Sequence, residues 1–394
     1  FHMPARISLR GTRQSGQRGL QRPSRSIATC APTYSTRTLP TKHPANRNNS
    51  SMLNDFTTTA QGRSRVRHES KARANLTESL KKLKMIKLEG IIAAPLTAFK
   101  ADGSVDCDVV PAYARLLKAN GVAGAFVNGT TGEGMSLTVE DRAALAKAWC
   151  AHAADDFRII IHVGHVCQEE SKAMARHAAE SGAHAIGEMA PCFFRPADVE
   201  SLVAYCRDTA AACDLPYFFY HMPSMTNVDF PMIDFLKIAD GFIPTLAGIK
   251  YTHEDLADYA ECVAYGQGRF SILFGRDELL TDGLKAGMQG AVGSTYNVIA
   301  PLYVKLIAAY RAGQLAEADR LQALAIEGIG IMARSGSFGS AMKEVMQDCG
   351  LPLGGGEMLP PQKTLDADSQ RQVVAQFESS ELSTYMCRSD KEVS

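Results

Sequence analysis

The chain has 394 residues, 45% hydrophobic and 21% charged, with 42 basic against 42 acidic side chains. That length suits one large α/β domain with extensions, or two ordinary domains, and the apolar share is that of a globular protein with a core. No run of about 18 apolar residues occurs, which excludes a membrane-spanning helix, and ten scattered cysteines without a CxxC pair argue for reduced thiols inside a cell, against a disulfide scaffold or a thiolate zinc cluster.

The balanced charge hides an asymmetry. Residues 1–68 carry eleven Arg and Lys42 against the single acid Asp55, which leaves the remainder with 30 basic and 41 acidic side chains, a net charge of −11. An acidic body argues against nucleic acid as a partner. The first 68 residues are rich in Arg, Ser, Thr, Pro and Asn. They sustain no apolar period and cannot bury enough surface to fold. An organelle transit peptide, a basic disordered arm and non-native coding sequence all fit that composition. The chain begins at Phe1, and Met85 stands just before the first strand-like run. We expect residues 1–84 to be a disordered, transit-like or mis-assigned basic extension. Function is to be sought after about residue 85.

From Leu88 onward, short apolar runs alternate with amphipathic segments of 10–15 residues. Strands are expected at Gly90–Ala94, Gly124–Asn128, Arg158–His162, His184–Met189, Tyr217–His221, Leu246–Tyr251, Phe270–Gly275 and Gly290–Ser294. Runs such as Arg158-Ile-Ile-Ile-His162 are apolar on both faces, as a parallel strand covered on both sides requires. Thr138 followed by Asp141 reads as a helix N-terminus. Helices are also expected at Glu169–Ser181, Asp198–Ala212 and Ala316–Ile331, with Pro223 and Pro231 flanking a turn. Eight such units predict a (β/α)₈ TIM barrel over 85–300. Residues 301–394 would hold the last barrel helix, additional C-terminal helices and a tail. An open doubly wound sheet would call for a glycine-rich nucleotide loop after a strand, and none follows one. Gly354–Gly356 reads as a loop, not a phosphate cradle.

In a barrel the chemistry sits where strands run into the following loops. Lys250 lies on the sixth run, one residue from its end. It either reaches solvent or a carboxylate, or loses solvent, drops in pKa and becomes a nucleophile for ketones. Tyr220 ends the neighbouring fifth run, either as packing or as a proton carrier. Thr130, Thr131 and Gly132 form either a plain tight turn or a nest of hydroxyls and amides for a carboxylate. Together the three describe a site for a 2-oxo acid. His162, His165 and Cys167 lie close in sequence but lack a distant His–carboxylate set. We read the histidines as structural and expect no metal.

These residues resemble the pyruvate-dependent class I aldolase family, which holds the N-acetylneuraminate lyases and dihydrodipicolinate synthases. Gly129-Thr130-Thr131-Gly132-Glu133 is similar to its carboxylate-binding turn, Tyr220-His221-Met222-Pro223 to its catalytic-tyrosine segment and Gly248-Ile249-Lys250 to its Schiff-base strand. The resemblance spans roughly residues 87–365 in order. Phe274-Gly275-Arg276-Asp277-Glu278 and Gly293-Ser294-Thr295-Tyr296-Asn297 resemble the N-acetylneuraminate lyase branch. The resemblance implies sugar-binding roles for Thr252, Gly275, Asp277, Glu278 and Ser294, although Asp277 and Glu278 equally suit the first turn of a helix. Dihydrodipicolinate synthases usually carry an Arg after the tyrosine segment, and Met222–Asn227 has none. A loop that often bears a tyrosine reads Pro191-Cys192-Phe193-Phe194-Arg195 here. Arg195 leaves open a different sugar acid.

The family implies reversible cleavage of N-acetylneuraminate to pyruvate and N-acetylmannosamine, with Lys250 and Tyr220 catalytic, Thr130, Thr131 and Gly132 holding the carboxylate, and no cofactor. A related aldolase of 2-keto-3-deoxy sugar acids, a dihydrodipicolinate synthase-like condensation and a non-catalytic sugar-acid binding protein are the alternatives. The expected partners are the small-molecule substrate and further copies of the chain, a tetramer by family resemblance. The expected place is the cytoplasm, or an organelle if residues 1–84 target it.

Overall fold

The structure, a computed structural model, describes residues 86–389; the extension expected over 1–84 lies outside them. Eight parallel strands close into one barrel in chain order. They are β1 (Gly90–Ala93), β2 (Gly124–Val127), β3 (Arg158–His162), β4 (Ala185–Met189), β5 (Tyr217–His221), β6 (Leu246–Tyr251), β7 (Ser271–Phe274) and β8 (Gly290–Gly293). Closure is made by β1 against β8, with Gly90 opposite Gly290 and Ala93 opposite Gly293. Each expected strand is present, within one residue at either end. The strands are legible because their residues are apolar on both faces. One face fills the barrel and the other meets the helices.

Two cores result. Inside the barrel sit Leu88, Ile92, Phe126, Ile160, Phe218, Tyr220, Leu273 and Val292 among others. The larger core lies between the strands and the surrounding helices. Those helices are α1 (Val110–Ala119), α2 (Val139–Cys150), α3 (Gln168–Glu180), α4 (Val199–Ala210), α5 (Met232–Phe242), α6 (Leu256–Ala264), α7 (Leu280–Lys285) and α8 (Tyr296–Arg311). Thr138 caps α2 as expected: its Oγ1 accepts the Asp141 amide at 3.1 Å and donates to the Asp141 carboxylate at 2.8 Å. Pro223 opens a single helical turn, Pro223–Thr226, and Pro231 precedes α5. The division expected at residue 300 falls within α8. Beyond it come α9 (Leu315–Arg334), α10 (Phe338–Asp348) and α11 (Ala367–Glu378). Gly354–Gly356, all at positive φ, turn the loop between α10 and α11.

Several polar groups inside the larger core are matched to partners. The Tyr113 hydroxyl donates to Asn297 Oδ1 at 2.7 Å and accepts the Leu96 amide, and Asn297 Nδ2 donates to the Ala94 carbonyl at 2.7 Å. This network ties α1 and α8 to the chain leaving β1. Glu188 on β4 accepts hydrogen bonds from Tyr217 and from Thr209 of α4 at 3.0 and 3.1 Å. Burial disfavours its charge and pushes its pKa from 4.5 up to about 8, against the hydrogen bonds.

That shift sets a pH dependence. Between about pH 4.5 and 8 the folded chain keeps the Glu188 proton and the unfolded chain does not. Stability therefore falls as pH rises through that window. Glu188→Gln, which cannot ionise, is expected to show a flatter fall in denaturation midpoint from pH 5 to 8; an unchanged slope would remove Glu188 as its source.

Candidate active site

The mouth of the barrel gathers the expected residues in two groups. Lys250 and Tyr220 are register partners on adjacent strands. Both are buried, and both side chains enter the barrel, because the alternating residues Tyr251 and His221 face outward. Lys250 Nζ lies 3.8 Å from the Tyr220 ring centroid and 4.4 Å from that of Phe126 on β2. The amine thus rests on two aromatic faces rather than on a carboxylate, and makes no ion pair among the described residues. Phe126 meets Tyr220 edge to face at 5.5 Å, an arrangement that fixes ring orientation.

The Tyr220 hydroxyl stands 3.3 Å from Thr130 Oγ1 and donates to Met222 Sδ at 3.0 Å. So Thr130 comes to the lysine–tyrosine pair. The turn that carries it is tightly wound. Asn128 and Glu133 both take positive φ, and a Cβ on Gly134 would lie 1.9 Å from the Asn128 carbonyl oxygen. Thr97 Oγ1 donates to the Gly132 carbonyl at 2.6 Å. The Thr131 and Gly132 amides make no hydrogen bond among the described residues, which leaves them available to an anion.

Glu133, the last residue of that turn, explains how it is held. Its carboxylate pairs with Lys343 of α10 at 2.9 Å, with both side chains fully buried. The other oxygen accepts the Leu359 amide at 2.6 Å. Lys343 also donates to the Glu357 carbonyl and lies over the Phe99 ring at 4.4 Å. Burial lowers the Lys343 pKa and the Glu133 carboxylate opposes the shift.

The second group lines the ends of β6, β7 and β8. Thr252 packs against Gly275: a Cβ there would lie 2.0 Å from the Thr252 hydroxyl oxygen. Asp277 lies against Gly293 in the same way, at 1.9 Å. Asp277 is not a helix cap. Its Oδ2 accepts the Thr295 amide at 3.0 Å and the Thr295 hydroxyl at 2.6 Å. Its Oδ1 and the Thr252 hydroxyl are buried without a hydrogen-bond partner among the described residues. Burial, helped by the Glu278 charge, raises the Asp277 pKa to about 6 while the Thr295 bonds oppose it. Ser294 is half-buried just past β8. Glu278 instead pairs with Arg276 at 2.7 Å, and Arg276 reaches Glu254 at 2.6 Å.

His162 is buried beneath Tyr220, with ring centroids 6.0 Å apart. Its Nε2 accepts the Met189 amide and its carbonyl accepts Arg142. Burial, and then the Arg142 and Lys250 charges, hold its pKa well below the usual value. His165 Nδ1 accepts the Cys167 amide at 3.0 Å. Phe193 and Phe194 stand exposed on the loop after β4. Reading by local motif missed Phe126, whose signal is its inward place in β2, and Lys343, which lies 210 residues from Glu133 with no local signal.

An eight-stranded parallel barrel with a buried lysine and tyrosine facing each other at its mouth, beside an open amide turn, is the architecture of a barrel enzyme acting on a small anionic substrate. Residues 87–380 match the Dihydrodipicolinate synthetase family, and the chain belongs to it. An N-acetylneuraminate lyase of Danio rerio is 39% identical over 273 residues, 68% of this chain and 89% of that protein. Among solved structures, the Proteus mirabilis N-acetylneuraminate lyase is 36% identical with a TM-score of 0.72, covering 74% of this chain and 98% of that one. A prophage protein of the dihydrodipicolinic acid synthase family from E. coli K12, in complex with pyruvate, is 27% identical with a TM-score of 0.68, covering 74% and 98%.

Breaking the Glu133–Lys343 pair strands a buried charge. Lys343→Met alone is expected to cost about 3–5 kcal/mol in chemical denaturation, and the double variant Glu133→Gln/Lys343→Met to recover part of it. A single variant within about 0.5 kcal/mol of the wild type would contradict the burial of the pair.

Proposed function

We propose that the protein is a Schiff-base aldolase that reversibly cleaves N-acetylneuraminate to pyruvate and N-acetylmannosamine. The observation that carries the reading is Lys250 Nζ, buried in the barrel 3.8 Å from the ring of its register partner Tyr220. The named lyase relatives and the pyruvate-bound family member support the substrate.

The reaction follows from the groups at the mouth. Lys250 adds as the free amine to the C2 ketone of the open-chain sugar acid, and Tyr220 gives its proton to the departing hydroxyl, so that loss of water leaves an iminium and a phenolate. The Thr130 and Thr131 hydroxyls and the Gly132 amide bind the adjacent carboxylate. Tyr220 takes the proton from the C4 hydroxyl. The C3–C4 bond then breaks, its electrons pass to the iminium, and the freed carbon becomes the aldehyde of N-acetylmannosamine. The enamine on Lys250 gains a proton at C3, and water releases pyruvate and the amine. The protein lysine serves as the electron sink. Asp277 Oδ1 and the Thr252 hydroxyl, buried and unpartnered, are acceptors suited to the polyol tail, with Gly275 making room and Glu278 and Ser294 at the rim.

In this reading the chain works as a homo-oligomer, a tetramer by family resemblance. The exposed Val166, Phe193, Phe194 and Met225 on loops after β3, β4 and β5 support association. The unpaired cysteines among the described residues suit the cytoplasm.

Borohydride reduction in the presence of pyruvate is expected to leave a mass adduct on Lys250 that Lys250→Ala lacks. Tyr220→Phe should keep the adduct but lower kcat by about 10²–10⁴. No adduct on any lysine of the folded protein would overturn the aldolase reading. Asp277 accepts fully only as a carboxylate, so KM for N-acetylneuraminate is expected to rise as pH falls through about 6. Asp277→Asn should flatten that rise; a variant profile still climbing below pH 6 would exclude Asp277 as its origin.

A further inference from the structure

The outward-facing residues at the ends of β5 and β6 are not used by the aldolase chemistry, and three of them converge. His221 ends β5, Asp229 lies on the loop that follows, and His253 stands two residues beyond β6. One ligand atom from each lies within 4.8 Å of the other two. His221 is buried, and neither of its ring nitrogens makes a hydrogen bond among the described residues. Its ring packs edge to face against His253 at 5.5 Å and at a tilt against Tyr251 at 5.2 Å. The His221 nitrogens thus have no protein partner among the described residues, which leaves them to water or to a ligand.

His253 is already oriented for one. Its Nδ1 lies 3.2 Å from Glu254 and its Nε2 lies 3.8 Å from Asp229 Oδ1. A carboxylate beside Nδ1, with Nε2 on the side of Asp229, is the arrangement that orients histidine ligands in metal sites. Glu254 is itself held by Arg276 at 2.6 Å.

We propose that His221, Asp229 and His253 form a binding site for a divalent transition-metal cation of the zinc type. Two imidazoles and one carboxylate suit zinc, which takes nitrogen and oxygen at about 2.0–2.2 Å in a tetrahedron. A side-chain shift of about 1 Å draws the three ligands to that geometry, and Asp229, with its side chain 66% exposed, has room to swing. Water takes the fourth position. The cation joins the end of the strand carrying Tyr220 to the loop after the strand carrying Lys250, outside the barrel wall. It takes no part in the Schiff-base step, and the site stands whether or not the protein cleaves N-acetylneuraminate.

The test uses the full chain without a histidine tag, dialysed to equilibrium against low-micromolar Zn²⁺ and analysed for metal. The wild type is expected to hold about one equivalent more than His253→Asn, and Asp229→Asn to bind at least about tenfold more weakly. Circular dichroism and melting temperature confirm that each variant is folded, and Asp229→Asn, at an exposed position, decides the matter if His253→Asn does not fold. With Co²⁺ in place of zinc, visible d–d bands without a thiolate charge-transfer band mark nitrogen and oxygen ligands. Equal zinc content in the wild type and a folded variant overturns the proposal. So does a thiolate band, which would assign the metal to a cysteine.

Discussion

Two full charges, Glu133 and Lys343, face each other with no access to water, and the mouth of the barrel is built around them. Removing both from solvent is costly, and their attraction offsets that cost only when the geometry is held and the remaining hydrogen-bonding sites are filled. The Leu359 amide and the Glu357 carbonyl fill them. The turn bearing Thr130, Thr131 and Gly132 therefore cannot settle until α10 and the segment after it have docked. The helices beyond residue 311 are thus part of the site rather than an appendage to the barrel.

Lys250 meets a different constraint. Its amine is buried as Lys343 is, but it contacts the faces of Phe126 and Tyr220 instead of an acid. Aromatic faces stabilise an ammonium without binding it as a carboxylate does. A lysine held this way has no ion pair to break before its amine meets another group. The chain thus buries one lysine against an acid and another against aromatic faces, and the counter-group separates the two.

The barrel was legible because its strands are short, apolar on both faces and spaced by helix-length segments, and the burial they demand is met by one architecture. Lys250, Tyr220 and the threonine turn were legible for a related reason: polar residues at the ends of apolar strands stand out. Other features had no such contrast. Phe126 looks like any core phenylalanine until the barrel closes and sets its face under Lys250. Lys343 sits on an amphipathic helix like many surface lysines, and its burial depends on a partner 210 residues away. Asp277 suited a helical first turn and stands in one, Asp277–Leu279, but its carboxylate also binds Thr295, because the chain leaving β8 passes close enough to supply both donors. Pairings between distant strands and helices are tertiary facts, and local pattern carries little of them.

Gly275 and Gly293 have no side chain because Thr252 and Asp277 occupy the space that one would fill. Each pair behaves as a single unit of shape. A larger residue at either glycine is blocked until its neighbour has shrunk, and shrinking the neighbour first opens a void at the mouth of the barrel. Change of shape at these positions is therefore slow along single-residue paths and fast along paired ones. Laboratory evolution that varies residues 252 with 275, and 277 with 293, would reach folded variants that one-at-a-time libraries miss.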